Sequence, residues 1–168
     1  SGGVGYDETG GIVTGYTAYR EQLASDETDP NLSITASSKL QFDVLDDASV
    51  GAGLRRGLYY TSGVKVQKDI VYSASVDITH TGLNGGGAVH LFIMPSLVTT
   101  DTSLPSSGTE DNIATTSTTS ASASLSLEFT PYFTGTIYPY IVAATNEDNS
   151  GTGTTKFVTI NNFSMKPK

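Results

Sequence analysis

The chain has 168 residues, a net charge of −8, 37% hydrophobic and 15% charged residues, and no cysteine. This is the size of one ordinary domain, which buries roughly two-thirds of the surface of its unfolded chain. The acidic balance opposes phosphate backbones and anionic lipid, the nine Lys and Arg form no basic stripe, and no apolar run approaches the roughly 18 residues of a membrane-spanning helix, so neither nucleic acid nor membrane insertion is expected. Without thiols there is no disulfide framework, thiolate zinc site or cysteine nucleophile.

Residues 1–31 read as a lead-in segment or linker. They hold turn formers and acids such as Asp26, Asp29 and Pro30, one helical turn at residues 19–23, and an opening Ser1-Gly2-Gly3 that suggests a piece cut from a longer polypeptide. Residues 32–168 read as one β-sandwich ligand-binding domain. Leu40, Phe42 and Val44 alternate with Gln41 and Asp43, the pattern of a half-buried strand. After Asp46-Asp47 and two glycines, an extended piece begins at Leu58-Tyr59-Tyr60 and is expected to run to Val66. The clearest strand follows, with Ile70, Tyr72, Ala74, Val76 and Ile78 on one side and Ser73, Ser75 and Asp77 on the other.

A glycine-rich turn leads into residues 89–94, which Pro95 stops because it has no N–H for a ladder. Residues 96–121 read as a long Ser/Thr-rich loop, more than a compact domain normally carries without a purpose. Alternation returns at Leu125, Leu127 and Phe129, then in 136–144 and 156–165, with a hairpin turn over 146–153. Many short strands with polar turns and no sustained helical period predict an all-β, two-sheet antiparallel sandwich.

Three segments in order carry a family resemblance: 38–44, 66–76 with its Tyr72-Ser73-Ala74-Ser75 step, and the closing Phe157-Val158-Thr159-Ile160-Asn161-Asn162-Phe163. They resemble the jelly-roll carbohydrate-binding modules found beside glycanases, with the galactose-binding-like sandwich that also occurs in phage tail fibres and tailspikes. The resemblance implies a jelly roll and a glycan or polysaccharide partner at an extracellular or virion surface. It also implies a structural calcium, commonly held by an acid where this chain has Asn161. Asn offers only a neutral oxygen, so a calcium here needs other ligands, for which Asp26 and Asp29 are the candidates.

Glycan recognition uses flat faces against sugar C–H surfaces and polar groups that read hydroxyls. Tyr138 and Tyr140 share one strand face, expected to be the open outer face if Ile137 and Ile141 point inward. Tyr59 is expected to join that row, Arg55 or Arg56, with Arg56 the chosen candidate, to supply donors, His90 to share its face with Phe92 and Met94, and Asp43 and Asp77 to accept from sugar hydroxyls. His80 and His90 are read as groove or surface histidines rather than a zinc pair. The run from Asn146 fails as a calcium loop because its twelfth position is Phe157.

No nucleophile elbow, metalloprotease helix, phosphate loop or dinucleotide fingerprint occurs, so catalysis is not expected. A glycosidase-like pairing of Asp43 with Asp77 is the remaining enzymatic reading. The expected function is a non-catalytic carbohydrate-binding domain that attaches a larger extracellular or phage tail protein to a glycan surface. The alternative is a structural or oligomerisation domain of a virion fibre or surface filament, as a homotrimer or a chain of copies that buries the same tyrosines.

Overall fold

The computed structural model describes residues 6–7, 12–13, 15–21, 30, 32–45, 55–81, 83, 87–98, 103–105, 113–144 and 155–168. Among these there is no helix. The strands are β1 (Tyr6–Asp7), β2 (Ile12–Val13), β3 (Tyr16–Arg20), β4 (Leu32–Ile34), β5 (Leu40–Leu45), β6 (Arg55–Tyr60), β7 (Val64–Val66), β8 (Tyr72–His80), β9 (Ala88–Met94), β10 (Ala114–Thr118), β11 (Ser122–Phe129), β12 (Gly135–Ala144) and β13 (Thr155–Pro167). One sheet has the order β10-β9-β12-β6-β3, with β7 also paired to β12; the other runs β11-β8-β13-β5-β4. All pairings are antiparallel, and the chain crosses between the two large sheets after β3, β5, β7, β8, β10, β11 and β12, which makes a jelly-roll sandwich.

Period-two hydrophobicity builds the core. β8 buries Tyr72, Ala74, Val76 and Ile78, β9 buries Val89, Leu91 and Ile93, and β5 buries Phe42 and Val44, all in one cluster between the sheets. Each such aliphatic or aromatic side chain contributes about 1.5–3 kcal/mol by leaving water.

β13 changes parity partway: Val158 and Ile160 face the core, and beyond them so do Phe163 and Met165. Strict alternation cannot place both pairs inward. A register shift between Ile160 and Asn162 resolves it, leaving Asn161 as the extra residue of a bulge.

Pro139 stands inside β12, where a missing N–H would cost a ladder bond. It falls where the partner of β12 changes from β7, last paired at Ile137, to β6, first paired at Tyr140. The turn that separates β6 from β7 holds Gly63 at φ 62°, and a Cβ there would lie 2.6 Å from the Ile137 carbonyl oxygen. Left-handed backbone and close approach both call for glycine.

Four expectations change. The boundary at residue 31 cuts through the sandwich, because β3 pairs with β6 inside the lead-in segment. Residues 16–20 are a strand rather than the start of a helical turn, since Tyr16 and Ala18 face the inter-sheet core while Tyr19 faces the other way. The long Ser/Thr-rich segment contains β10, an edge strand on β9. The extended piece from Leu58 stops at Tyr60 and resumes at Val64. The hairpin expected at 146–153 lies outside the described residues.

Gly57 sits between β3 and β12, opposite Tyr19 and Val142. A Cβ there would strike the Ile141 carbonyl oxygen and lie 2.7 Å from Val142 Cα, both backbone atoms that cannot swing aside. Gly57→Ala is therefore expected to lower unfolding free energy by about 2–3 kcal/mol in urea denaturation. An unchanged midpoint would show that the two strands part without cost.

Candidate functional site

The inner face of the six-stranded sheet makes the core, and its outer face carries a second apolar cluster of Tyr19, Phe92, Met94, Leu104, Tyr140 and Val142. Strand registers set the layout. Thr17, Tyr59, Tyr140, Phe92 and Thr115 form one cross-strand row. The next row holds Tyr19, Gly57, Val142 and His90, while Tyr138 stands beside Met94 on the other side. Tyr59 stacks on Tyr140 at 4.8 Å. With no side chain at Gly57, the Tyr19 ring reaches across β6 to meet Tyr140 edge-on at 5.2 Å.

Two described stretches of the segment that follows β9, residues 95–98 and 103–105, lie on this face as a strap, each latched at one point. The Tyr140 hydroxyl accepts the Val98 N–H at 2.9 Å and donates to the Val98 carbonyl at 3.1 Å. At the other point, Glu21 Oε1 accepts the Leu104 N–H at 2.9 Å and lies 2.7 Å from Arg55 Nη2, which donates to the Leu104 carbonyl at 3.1 Å. Glu21 Oε2 also accepts the Arg55 backbone N–H at 2.9 Å, and the Arg55 guanidinium lies 4.9 Å from the centre of the Phe92 ring.

Burial, aided by Tyr59 and Tyr138, pushes the Tyr140 phenol up to about 12, and burial with the nearby Glu21 carboxylate raises Tyr19. Both remain neutral donors. Burial, and then the Arg55 charge, pull His90 below its ordinary value, with Glu21 partly offsetting them, so at neutral pH it is an uncharged imidazole.

Of the expected site residues, Tyr59, Tyr138 and His90 come together on this outer face, each half-buried. Tyr140 shares the face but is 0% exposed, sealed beneath the strap, so it supports the surface rather than contacting anything in solvent. Arg56 is misplaced: it shares the alternation of Leu58, points to the opposite side from Tyr59, and is 2% exposed. Arg55 is the arginine on the tyrosine face, as a two-residue period counted back from Tyr59 requires.

Asp43 and Asp77 belong to β5 and β8 of the other sheet and cannot serve this face. Asp43 is buried and registers with Phe157; Asp77 registers with Asn162, five positions farther along β13, so the two do not face each other as a glycosidase pair. Asp77 is instead hydrogen-bonded by Ser124 and by Asn162 at 3.0 Å, which hold its carboxyl below the usual range. His80 and His90 lie on different sheets, so no hairpin pairs them.

Asn161 lines a recess of about 220 Å³ with Tyr16, Ser38, Lys39 and Asn162. An ammonium and neutral oxygens do not suit calcium, and no group of three or more acidic or histidine ligands occurs among the described residues. Asp26 and Asp29 lie outside them. Glu21 and Leu104 were not anticipated, and their roles arise only from contacts across 34 and 83 positions of sequence.

No family model matches this sequence, and no curated protein matches it. Solved structures do. A CBM4 carbohydrate-binding module aligns with TM-score 0.51 at 8% identity, covering 96% of this chain and 90% of that one. The N-terminal cellulose-binding domain of Cellulomonas fimi β-1,4-glucanase C gives 0.50 at 14%, covering 92% and 89%. The CBM22-1 and GH10 modules of Clostridium thermocellum xylanase 10B, complexed with xylohexaose, give 0.51 at 18%, covering 92% and 26%. The chain thus spans about a quarter of that xylanase chain, and 23% of an α-L-arabinofuranosidase chain that it also matches. At these identities the likeness establishes the fold: this is the jelly-roll sandwich of carbohydrate-binding modules.

Two measurements follow from the strap and the imidazole. Tyr140→Phe leaves the Val98 N–H and carbonyl without their partner and is expected to cost about 1–3 kcal/mol in chemical denaturation, with faster exchange of the Val98 amide. For His90, the unfolded chain takes up a proton near pH 6.5, and the folded chain does so only at lower pH. Its contribution to stability is therefore complete above about 6.5 and is lost as pH falls from there to the depressed folded value. An NMR titration of the His90 ring with a midpoint above 6.5 would contradict this.

Proposed function

We propose that this chain is a non-catalytic carbohydrate-binding domain of a larger extracellular or virion-surface protein, attaching that protein to a glycan through the outer face of its six-stranded sheet. The observation that carries this reading is the aromatic surface formed by Tyr59 and Tyr138, half-exposed around the buried Tyr140 on a jelly-roll sheet. Tyr59 is held in advance by stacking on Tyr140 and Tyr138 by packing against the same cluster, so little side-chain freedom is lost when a sugar ring stacks on them.

Polar groups lie around the same rings. Arg55 is partly exposed, neutral His90 can both donate and accept, and the Thr17 and Thr61 hydroxyls bond each other at 2.8 Å beside Tyr59. Apolar planes with a few directional groups suit saccharides, whose faces are C–H and whose edges are hydroxyl. The non-catalytic reading draws support from Glu21, the carboxylate found on this face among the described residues, whose oxygens already hold Arg55 and Leu104. That leaves it no freedom to act as an acid or base.

A polysaccharide array with the isolated domain, run beside light scattering, tests the reading. Tyr138→Ala and Tyr59→Ala are each expected to weaken glycan binding about tenfold, near 1.4 kcal/mol, with the Tyr138 variant keeping its unfolding midpoint. A trimer that buries these tyrosines and binds no polysaccharide would favour a fibre oligomerisation domain instead.

A further inference from the structure

A separate recess of about 590 Å³ opens at the end of the sandwich where β7 passes into β8, within the roughly 300–1,000 Å³ typical of small-ligand sites. It shares no residue with the strapped face. Val66, Ile70 and Pro167 give it an apolar lining, while Lys65, Gln67, Tyr72 and Thr134 bring polar groups to it.

These polar groups have donor capacity left over. Tyr72 is only 7% exposed, its ring stacked on Phe129 at 5.7 Å. Its hydroxyl accepts the Gln67 N–H at 2.9 Å, and among the described residues nothing accepts the phenolic proton. Lys65 Nζ gives one bond to Thr136 Oγ1 at 2.6 Å and has two protons remaining. Thr134 Oγ1 accepts the Lys68 N–H at 2.9 Å and keeps its own proton. Tyr72 is the buried member of the set, so a ligand that supplies its phenol with an acceptor gains most there, while the exposed Lys65 and Thr134 add donors from the rim.

The charge around the recess points the same way. Among the described residues no carboxylate lines it. Lys65 does, Lys68 lies in the adjoining turn, and Lys166 and Lys168 flank Pro167, so four of the six lysines of a chain with net charge −8 gather at this end. The nearby acids are Asp69 in the same turn and Glu128, which is paired with Lys168 at 2.6 Å. Tyr132, two residues before Thr134, is 54% exposed and edge-on to Phe133 at 5.1 Å, offering a flat face for an adjoining sugar unit.

We propose that this recess binds the anionic group of an acidic saccharide, a uronate carboxylate or a sulfate ester, through Lys65, Gln67, Tyr72 and Thr134. That the anion is carried by a sugar rests on the glycan-binding reading above. The position of the site and the sign of its charge do not.

Calorimetry on the intact chain with tetragalacturonate, a sulfated galactose tetrasaccharide and uncharged tetragalactose tests it. At least one anionic probe is expected to bind, more weakly as salt rises. Lys65→Met should weaken that binding at least tenfold and Gln67→Ala several-fold, while Tyr138→Ala on the sheet face leaves it unchanged. Lys65 and Gln67 are exposed, so both variants are expected to keep the parental melting temperature. The proposal is overturned if neither anionic probe binds, if Lys65→Met leaves the affinity unaltered, or if inorganic sulfate alone competes as well as the tetrasaccharides. Loss of neutral-glycan binding in Tyr138→Ala reports on the sheet face, and loss of anionic binding in Lys65→Met reports on this recess, so either can fail alone.

Discussion

The outer half of this molecule depends on how Glu21 is kept content inside it. A carboxylate withdrawn from water is tolerated only when paired and fully hydrogen-bonded. Here it takes the Arg55 guanidinium, the Arg55 backbone N–H and the Leu104 N–H. One side chain thereby ties β3 to β6 and draws the strap down over Phe92 and Val142, which would otherwise form an open apolar patch. With the Tyr140 hydroxyl holding Val98 at the other point, the middle of the outer face of the six-stranded sheet is sealed while its margin stays partly in water.

Sealing of that kind divides the tyrosines by task. Tyr140 and Tyr19 lie under the strap and provide rigidity, while Tyr59 and Tyr138 stay at its margin, partly in water, Tyr59 stacked on Tyr140 and Tyr138 packed against the same cluster. The other sheet turns a different surface outward: Ser73, Ser75 and Asp77 alternate with core residues along β8, and Asp77 is occupied by Ser124 and Asn162. The two sides of one sandwich are chemically distinct because each strand alternates against a different background.

The sequence was most legible where alternation was long. β5, β8, β9 and β12 follow a two-residue rhythm, and the shared face of Tyr59, Tyr138, His90, Phe92 and Met94 comes directly from it. Legibility failed where a strand was short or polar, as in β4 and β10, whose few apolar residues differ little from a loop. It failed also where parity was not carried through: the same rhythm that placed Tyr59 outward puts Arg55 beside it and Arg56 behind it. The bulge at Asn161 was implicit in the spacing of Val158, Ile160, Phe163 and Met165. Tyr140's burial had no local signal at all, because the backbone that covers it lies 42 positions away.

The strap is held through its main chain. At Val98 and at Leu104 the groups engaged are amide N–H and carbonyl oxygen, which every residue except proline provides. Among the described residues of the strap, the Leu104 side chain is buried in the cluster beneath and Val98 packs partly buried against it. Descendants of this protein can therefore accumulate substitutions along the strap, altering the texture it shows to the outside, while the covering itself persists. Drift at Glu21, Arg55 or Tyr140 has no such latitude.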